Sequence, residues 1–202
     1  MTKRLNLWLA LIMAAFLAAC ATAPTGMGPA FDAALVEASS GGNPYAADDA
    51  LSKLLENTSL SDDERVRALY ARGSLRRQAG DDRKGAVEDF GAMLKLAPEH
   101  PLASNAREEL AFAQTDVETI EAGLARPLNL SQWFNSMWVL GAHAEAAERY
   151  RKSGLSPSET ELAKLVADGF VCDDKGGEAP VYTLGDMRPD LEHKHWCAPP
   201  DA

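Results

Sequence analysis

"ALYARGSLRRQAGDDRKGAVEDFGAMLKLAP", residues 68–98, is the stretch that decides the fold of this chain. Small and large side chains recur at helical spacing on both sides of a Gly-Asp turn at residues 80–81. The small residues let two helix backbones approach, and the large ones fill the space between them. The stretch therefore predicts two closely packed helices, of which the second ends before Pro98. The residues that carry the pattern are Leu69 and Gly73 in the first helix, and Ala86, Phe90 and Leu94 in the second.

This arrangement resembles a tetratricopeptide repeat, and the clearest unit spans residues 66–98. The resemblance implies an α-solenoid, in which successive helix pairs stack side by side. Residues 45–57 repeat the apolar pattern of the second helix 36 residues earlier, so they resemble part of a preceding unit. We therefore expect an all-α, short tetratricopeptide-type domain over residues 31–169, followed by an irregular C-terminal tail over residues 170–202.

Caps, glycines and prolines divide the rest of the domain into short helices. Ser61-Asp62-Asp63-Glu64 and Thr115-x-x-Glu118 are capping-box sequences, and Ser156-Pro157-Ser158-Glu159 combines such a box with proline at the first helical position. We expect residues 101–113 and 116–125 to form a degenerate third pair, and helix 131–152 to cap the stack. The predicted helices are 31–39, 45–57, 62–79, 83–96, 101–113, 116–125, 131–152 and 157–168.

The N-terminus has the layout of a secretory signal peptide. Lys3 and Arg4 precede an apolar run from Leu5 to Ala19, which as a helix of about 22 Å is too short to cross a bilayer core of about 30 Å. The sequence therefore predicts a signal peptide over residues 1–19.

The end of this run, Leu17-Ala18-Ala19-Cys20, resembles the lipobox of bacterial lipoproteins. The resemblance implies that Cys20 becomes the first mature residue and carries diacylglycerol and a further acyl chain such as palmitate; two or more chains give stable anchoring. Ala21, in place of Asp, favours the outer membrane by analogy with Gram-negative sorting, and residues 20–30 are expected to be a flexible tether. The alternative is an ordinary signal peptide whose cleavage site adjoins a cysteine.

Charge and the remaining cysteines narrow the function class. The formal charge of −10 becomes −12 when Lys3 and Arg4 are removed, which argues against nucleic acid as a partner. Cys172 and Cys197 form an even pair in what should be an oxidising compartment, so we predict a disulfide that pins the tail. The alternative is a zinc site completed by two nearby histidines, His193 and His195, although this spacing is not the usual paired one.

No catalytic motif stands out, so we predict a protein that is not an enzyme and has neither cofactor nor metal. One distribution is unusual: residues 65–84 contain seven cations against two carboxylates, a net +5 within an acidic chain. By resemblance to tetratricopeptide repeats, one face of the first helix lines a groove suited to acidic peptides. The alternative is a solvated face that pairs with the protein's own acidic helices. The candidate groove residues are Arg67, Tyr70, Ser74, Arg77 and Gln78.

Residues 58–101, read with the lipobox, resemble the NlpI family of outer-membrane tetratricopeptide-repeat lipoproteins. The resemblance implies a lipid-anchored, periplasm-facing adaptor of the bacterial outer membrane that binds other envelope proteins, with peptidoglycan hydrolases and proteases as the implied partners. The alternative is a structural or assembly component of an outer-membrane complex, in barrel assembly or pilus biogenesis. The matching residues are Leu60, Asp62, Asp63, Glu64, Arg65, Leu69, Tyr70, Arg72, Gly73, Asp89, Phe90, Leu96, Pro98 and Pro101.

Overall fold

The computed structural model describes residues 26–40, 42–173 and 193–197, and this part of the chain is predominantly helical. The all-α prediction is thereby confirmed for the described residues. The helices are α1 (Pro29–Ser39), α2 (Pro44–Glu56), α3 (Asp62–Gln78), α4 (Arg83–Leu96), α5 (Ala103–Leu124), α6 (Leu130–Val139), α7 (His143–Ser153) and α8 (Glu159–Ala167), and the strands are β1 (Val171–Asp173) and β2 (Lys194–Trp196).

Helices α1 to α5, which we call the N-terminal stack, pack in chain order, each against the next. Helix α3 also contacts α1 and α5, so that alternate helices lie beside one another. It packs closely against α4, where a Cβ atom added at Gly73 would lie 3.0 Å from the Phe90 ring. A larger residue at position 73 would therefore require the Phe90 ring to shift. The main apolar cluster of the stack contains Val66, Leu69, Ala86, Phe90, Met93, Ala106 and Ala113.

The predicted capping box at the start of α3 is confirmed, and it has a second role. The Ser61 hydroxyl accepts from the Glu64 amide, while the Glu64 carboxylate accepts from the Ser61 amide at 2.9 Å. The same carboxylate accepts from the backbone N–H groups of Met27 and Gly28, at 2.8 and 2.7 Å. The segment predicted as a tether up to residue 30 is therefore bound to α3 from residue 27 onward, and α1 begins within it at Pro29.

The predicted break between residues 113 and 116 is wrong, because α5 is one continuous helix. The Thr115 side chain does not cap a new helix; its hydroxyl donates to the Ala111 carbonyl at 2.9 Å, one turn back in the same helix. The expected third helix pair over residues 101–125 is therefore replaced by a single helix of 22 residues that packs along α4.

The predicted helix 131–152 is also wrong, because it is divided into α6 and α7 at Gly141. Gly141 has a φ of +91°, and a Cβ atom there would overlap the Asp82 carboxylate. The N–H of Lys84 donates to the Leu140 carbonyl at 3.3 Å, so the α3–α4 turn packs against the break between α6 and α7.

The region from α6 to β2, which we call the C-terminal unit, has its own apolar cluster. The predicted capping box of Ser156 with Glu159 is wrong, because the cap of α8 is Ser158 in a capping box with Glu161. The helix therefore begins two residues after the predicted start at residue 157, and Pro157 precedes it. The tail predicted as irregular contains an antiparallel pair in which Val171 lies opposite Trp196, and the rest of residues 170–202 lies outside the described part. The cluster contains Phe134, Trp138, Ala146, Ala147, Tyr150, Leu162, Leu165, Phe170 and Val171.

Candidate functional site: the polar face of helix α3

The five predicted groove residues lie on α3, and they differ in exposure. Tyr70 and Ser74 are half-buried, whereas Gln78 is exposed at the helix end. The Tyr70 ring packs edge-on against Phe90 with the ring centroids 5.9 Å apart, so it contributes to the core of the stack as well as to this face. The two arginines, Arg67 and Arg77, reach toward different neighbouring helices.

Arg67 lies against α1. Its Nη2 atom is 2.7 Å from Asp32 Oδ1, and its guanidinium lies 5.0 Å from the centroid of the Phe31 ring. The side chains of Arg67 and Asp32 are 36% and 61% exposed, so the pair is solvated and weakly stabilising.

Arg77 lies against α5, where its Nε atom donates to the carboxylate of Glu109. Its guanidinium is also 5.7 Å from the centroid of the half-exposed Phe112 ring. Both predicted peptide-binding arginines thus hold a carboxylate of a neighbouring helix, which is the arrangement that the alternative interpretation describes. Binding of an acidic peptide at this face stays a prediction.

A second set of arginines on α3 is paired more deeply. Arg72 donates to both carboxylate oxygens of Asp89, at 2.9 and 2.6 Å, and only 3% of the Asp89 side chain is exposed. Arg76 donates to Asp48 of α2 at 2.5 Å and lies 3.4 Å from Asp82. Although burial opposes the charge, Asp48 raises the pKa of Arg76 above its usual range. These pairs fasten α3 to α2 and α4; the sequence offered no local signal for them.

A polar cavity of about 210 Å³ adjoins Arg76, between α2 and the α6–α7 break. At its wall His143 has both ring nitrogens occupied, Nδ1 by Asp168 and Nε2 by backbone carbonyls. The Trp138 indole donates to the Tyr45 hydroxyl at 3.0 Å, and burial raises the pKa of Tyr45 to about 12.

The predicted disulfide between Cys172 and Cys197 is present, with the two Cα atoms 6.1 Å apart. Both sulfurs are therefore used, and neither is available to the alternative zinc site. Among the described residues, no group of three or more His, Cys, Asp or Glu side chains is placed to hold a metal ion.

The predicted lipidation residue, Cys20, lies outside the described residues, as does the predicted signal peptide over residues 1–19. Within residues 26–40, 42–173 and 193–197, no helix has both the length and the apolar composition that a membrane span requires. Comparisons of the chain with protein-family models, with curated proteins and with solved structures gave no match.

Proposed function

We propose that this chain is a lipid-anchored adaptor that faces the periplasm from the bacterial outer membrane. It binds other envelope proteins through the alternate helices of a tetratricopeptide-type stack. The observation that carries the proposal is the packing order of α1 to α5, in which α3 contacts its neighbours in sequence and also α1 and α5. Such an order aligns alternate helices on one side and supplies a continuous surface for a partner.

The proposed contact surface is the row formed by α1, α3 and α5. Arg67 and Arg77 bridge this row through Asp32 and Glu109. An extended acidic segment of a partner would exchange with these two carboxylates, because a guanidinium donates in the same fork geometry to a carboxylate of either chain. The exchange is feasible at Arg67, whose side chain is 36% exposed.

The proposed anchor is Cys20, seven residues before Met27, whose backbone N–H donates to the Glu64 carboxylate. Seven residues span at most about 25 Å when fully extended. The stack would therefore stay within about 25 Å of the bilayer and reach partners that are themselves close to the membrane.

Crosslinking in intact cells followed by identification of the captured proteins tests the adaptor role. We expect Arg67→Ala/Arg77→Ala to reduce capture of partners at least about tenfold, since charge-assisted hydrogen bonds contribute roughly 1.5–3 kcal/mol each before competition with Asp32 and Glu109. The matched control is Arg151→Ala/Lys152→Ala, which removes two cations paired with Glu148 in the C-terminal unit. Equal capture by both variants would show that Arg67 and Arg77 on α3 do not bind the partner. Recovery of a barrel protein or pilus component, in place of hydrolases or proteases, would favour the assembly alternative.

Membrane fractionation tests the anchor separately. Wild-type protein should sediment with outer membranes and carry acyl chains at its N-terminus by mass spectrometry, whereas Cys20→Ser should be released or remain unprocessed. A soluble wild-type protein without acyl chains would contradict the anchor and leave the adaptor surface untouched.

A further inference from the structure

The N-terminal stack and the C-terminal unit meet at a polar seam. The apolar residues on the two sides belong to separate clusters, and the contacts that join them include several polar ones. Trp138 donates to the Tyr45 hydroxyl at 3.0 Å, Lys164 lies 3.2 Å from Asp81, and the Lys84 amide donates to Leu140. A seam held by such contacts depends on the charge state of its members more than an apolar interface does.

His143 lies at the centre of this seam with acceptors at both ring nitrogens. Its Nδ1 is 2.5 Å from Asp168 Oδ2, and its Nε2 is 3.0 Å from the carbonyl oxygens of both Asp81 and Trp138. A carbonyl can only accept, and an ionised carboxylate can only accept, so both nitrogens are satisfied only when both carry a proton. A neutral ring would direct one lone pair at an acceptor.

The neighbours of His143 favour the cation. Its ring stacks on Trp138 with centroids 4.4 Å apart and an interplanar angle of 15°. Burial opposes the charge, but the hydrogen bond to Asp168 outweighs it, so the pKa of His143 is raised above its ordinary value.

Charged and titratable groups face His143 from every packed element. The α3–α4 turn supplies Asp81 and Asp82, α2 supplies Tyr45, Asp48 and Asp49, α3 supplies Arg76, and Lys164 and Asp168 come from α8 and its C-cap. Arg76 is bound to Asp48 and Lys164 to Asp81, so the two nearby cations are engaged by other carboxylates.

We propose that protonated His143 is a latch that holds the N-terminal stack and the C-terminal unit together, and that loss of its proton opens the seam. The latch joins three parts of the chain at once: the α3–α4 turn, the end of α6 and the end of α8. This inference is independent of the adaptor function.

The direction of the pH effect follows from the raised pKa of His143. The stabilisation by protonated His143 is fully present below the pKa that its ring has in the opened state, about 6.5. It is lost as the pH rises through the higher pKa of the closed state. Because opening releases one proton in this window, the opening equilibrium rises by at most about tenfold per pH unit. Alkaline conditions therefore loosen the seam.

Amide hydrogen exchange of the full chain between pH 5.5 and 9, corrected for intrinsic exchange rates, tests the latch. In the wild type we expect protection of the Lys84 amide, which bonds across the seam, to fall by up to about tenfold per pH unit above about pH 6.5. The Ala97 amide, which bonds to Met93 within α4, is the internal reference. His143→Gln should remove the pH dependence at Lys84, whereas His100→Gln, whose ring bonds Asp63 outside the seam, should keep it.

A second variant separates a proton-controlled latch from a merely structural side chain. Asp168→Asn keeps the shape of the partner but removes its charge, so the loosening should begin at a lower pH. Titration of the His143 Cε1–H signal by NMR should move in parallel with it. A pH-independent Lys84 amide in the wild type, a neutral His143 at pH 6, or an unchanged midpoint in Asp168→Asn would each overturn the latch, even if His143→Gln fails to fold.

Discussion

The N-terminal stack and the C-terminal unit are stabilised by different kinds of interaction. In the stack, glycine and alanine let helices approach, and arginine–aspartate pairs such as Arg72–Asp89 fasten one helix to the next. In the C-terminal unit the helices have only 9 to 11 residues, and aromatic rings fill the space around Trp138. A disulfide then closes the end of that unit.

The difference teaches how each region offsets the entropy of ordering its chain. In the stack, helix α3 is held by α1, α2, α4 and α5, so one helix gains from several neighbours. The C-terminal unit has shorter helices with fewer helical neighbours, so bulky rings and a covalent link supply what packing against several helices supplies in the stack.

Truncating the ring at the centre of the stack should have the largest effect. Phe90 is fully buried against Gly73 and Tyr70, so Phe90→Ala should lower the free energy of unfolding by about 3–5 kcal/mol. Urea unfolding followed by circular dichroism measures the change. Phe112→Ala, at a ring that is 51% exposed on α5, is the control and should cost less than about 1 kcal/mol. Equal losses would contradict an interlocked core between α3 and α4.

Removal of the disulfide should come next and should act on the other region. Cys172 and Cys197 are 25 residues apart, so Cys172→Ala/Cys197→Ala should lose about 3 kcal/mol through the entropy of the opened loop. Hydrogen exchange should show the loss of protection mainly at β1 and α8. If amides of α3 lose protection to the same extent, the two regions unfold as one unit and the comparison between them fails.

Two arginines of the same helix should then differ, because one pair is buried and the other is solvated. Arg72→Ala leaves the 3% exposed Asp89 carboxylate without its bidentate partner, and with Arg76 still nearby we expect a loss of about 2 kcal/mol. Arg67→Ala, which breaks the exposed pair with Asp32, should cost roughly 0.2–1 kcal/mol. Chemical denaturation of both variants measures the difference. A larger loss of unfolding free energy for Arg67→Ala than for Arg72→Ala would contradict the distinction between a buried and a solvated pair.

The smallest effect should appear at the start of the stack and only at low pH. Burial opposes ionisation of Glu64, but hydrogen bonds from the backbone of Ser61, Met27 and Gly28 lower its pKa. The contribution of ionised Glu64 to stability is therefore present above its pKa in the unfolded chain, about 4.5. It is lost as the pH falls through the lower pKa of the folded chain.

The melting temperature of Glu64→Gln should accordingly lie below that of the wild type at pH 7, and the gap should narrow below about pH 4.5. Glu99→Gln, at an exposed side chain, is the matched control, and its melting temperature at pH 7 should stay close to that of the wild type. A constant gap from pH 7 to pH 3 would contradict a charged clamp on residues 27 and 28.

Prediction from the sequence succeeded where the signal and the structure it forms are close along the chain. The spacing of Leu69, Gly73, Ala86 and Phe90 predicted the α3–α4 pair, and Ser61 and Glu64 predicted the start of α3. These signals work because capping, turn formation and helical side-chain spacing act within a few residues. The pairing of Cys172 with Cys197 was predictable because they form an even pair in the expected oxidising compartment.

Tertiary structure alone decided the features that depend on distant residues. Thr115 had a capping sequence, yet packing of α5 along α4 kept the helix continuous. The break between α6 and α7 falls at Gly141, where the carboxylate of Asp82, distant in sequence, occupies the space that a Cβ atom would take. The partners of Arg67 and Arg77, Asp32 and Glu109, are 35 and 32 residues away. The sequence by itself determined where α3 begins and how the α3–α4 pair interlocks. Only the folded chain decided which carboxylate each cation meets, because any of many acids could reach it until packing fixed the neighbours.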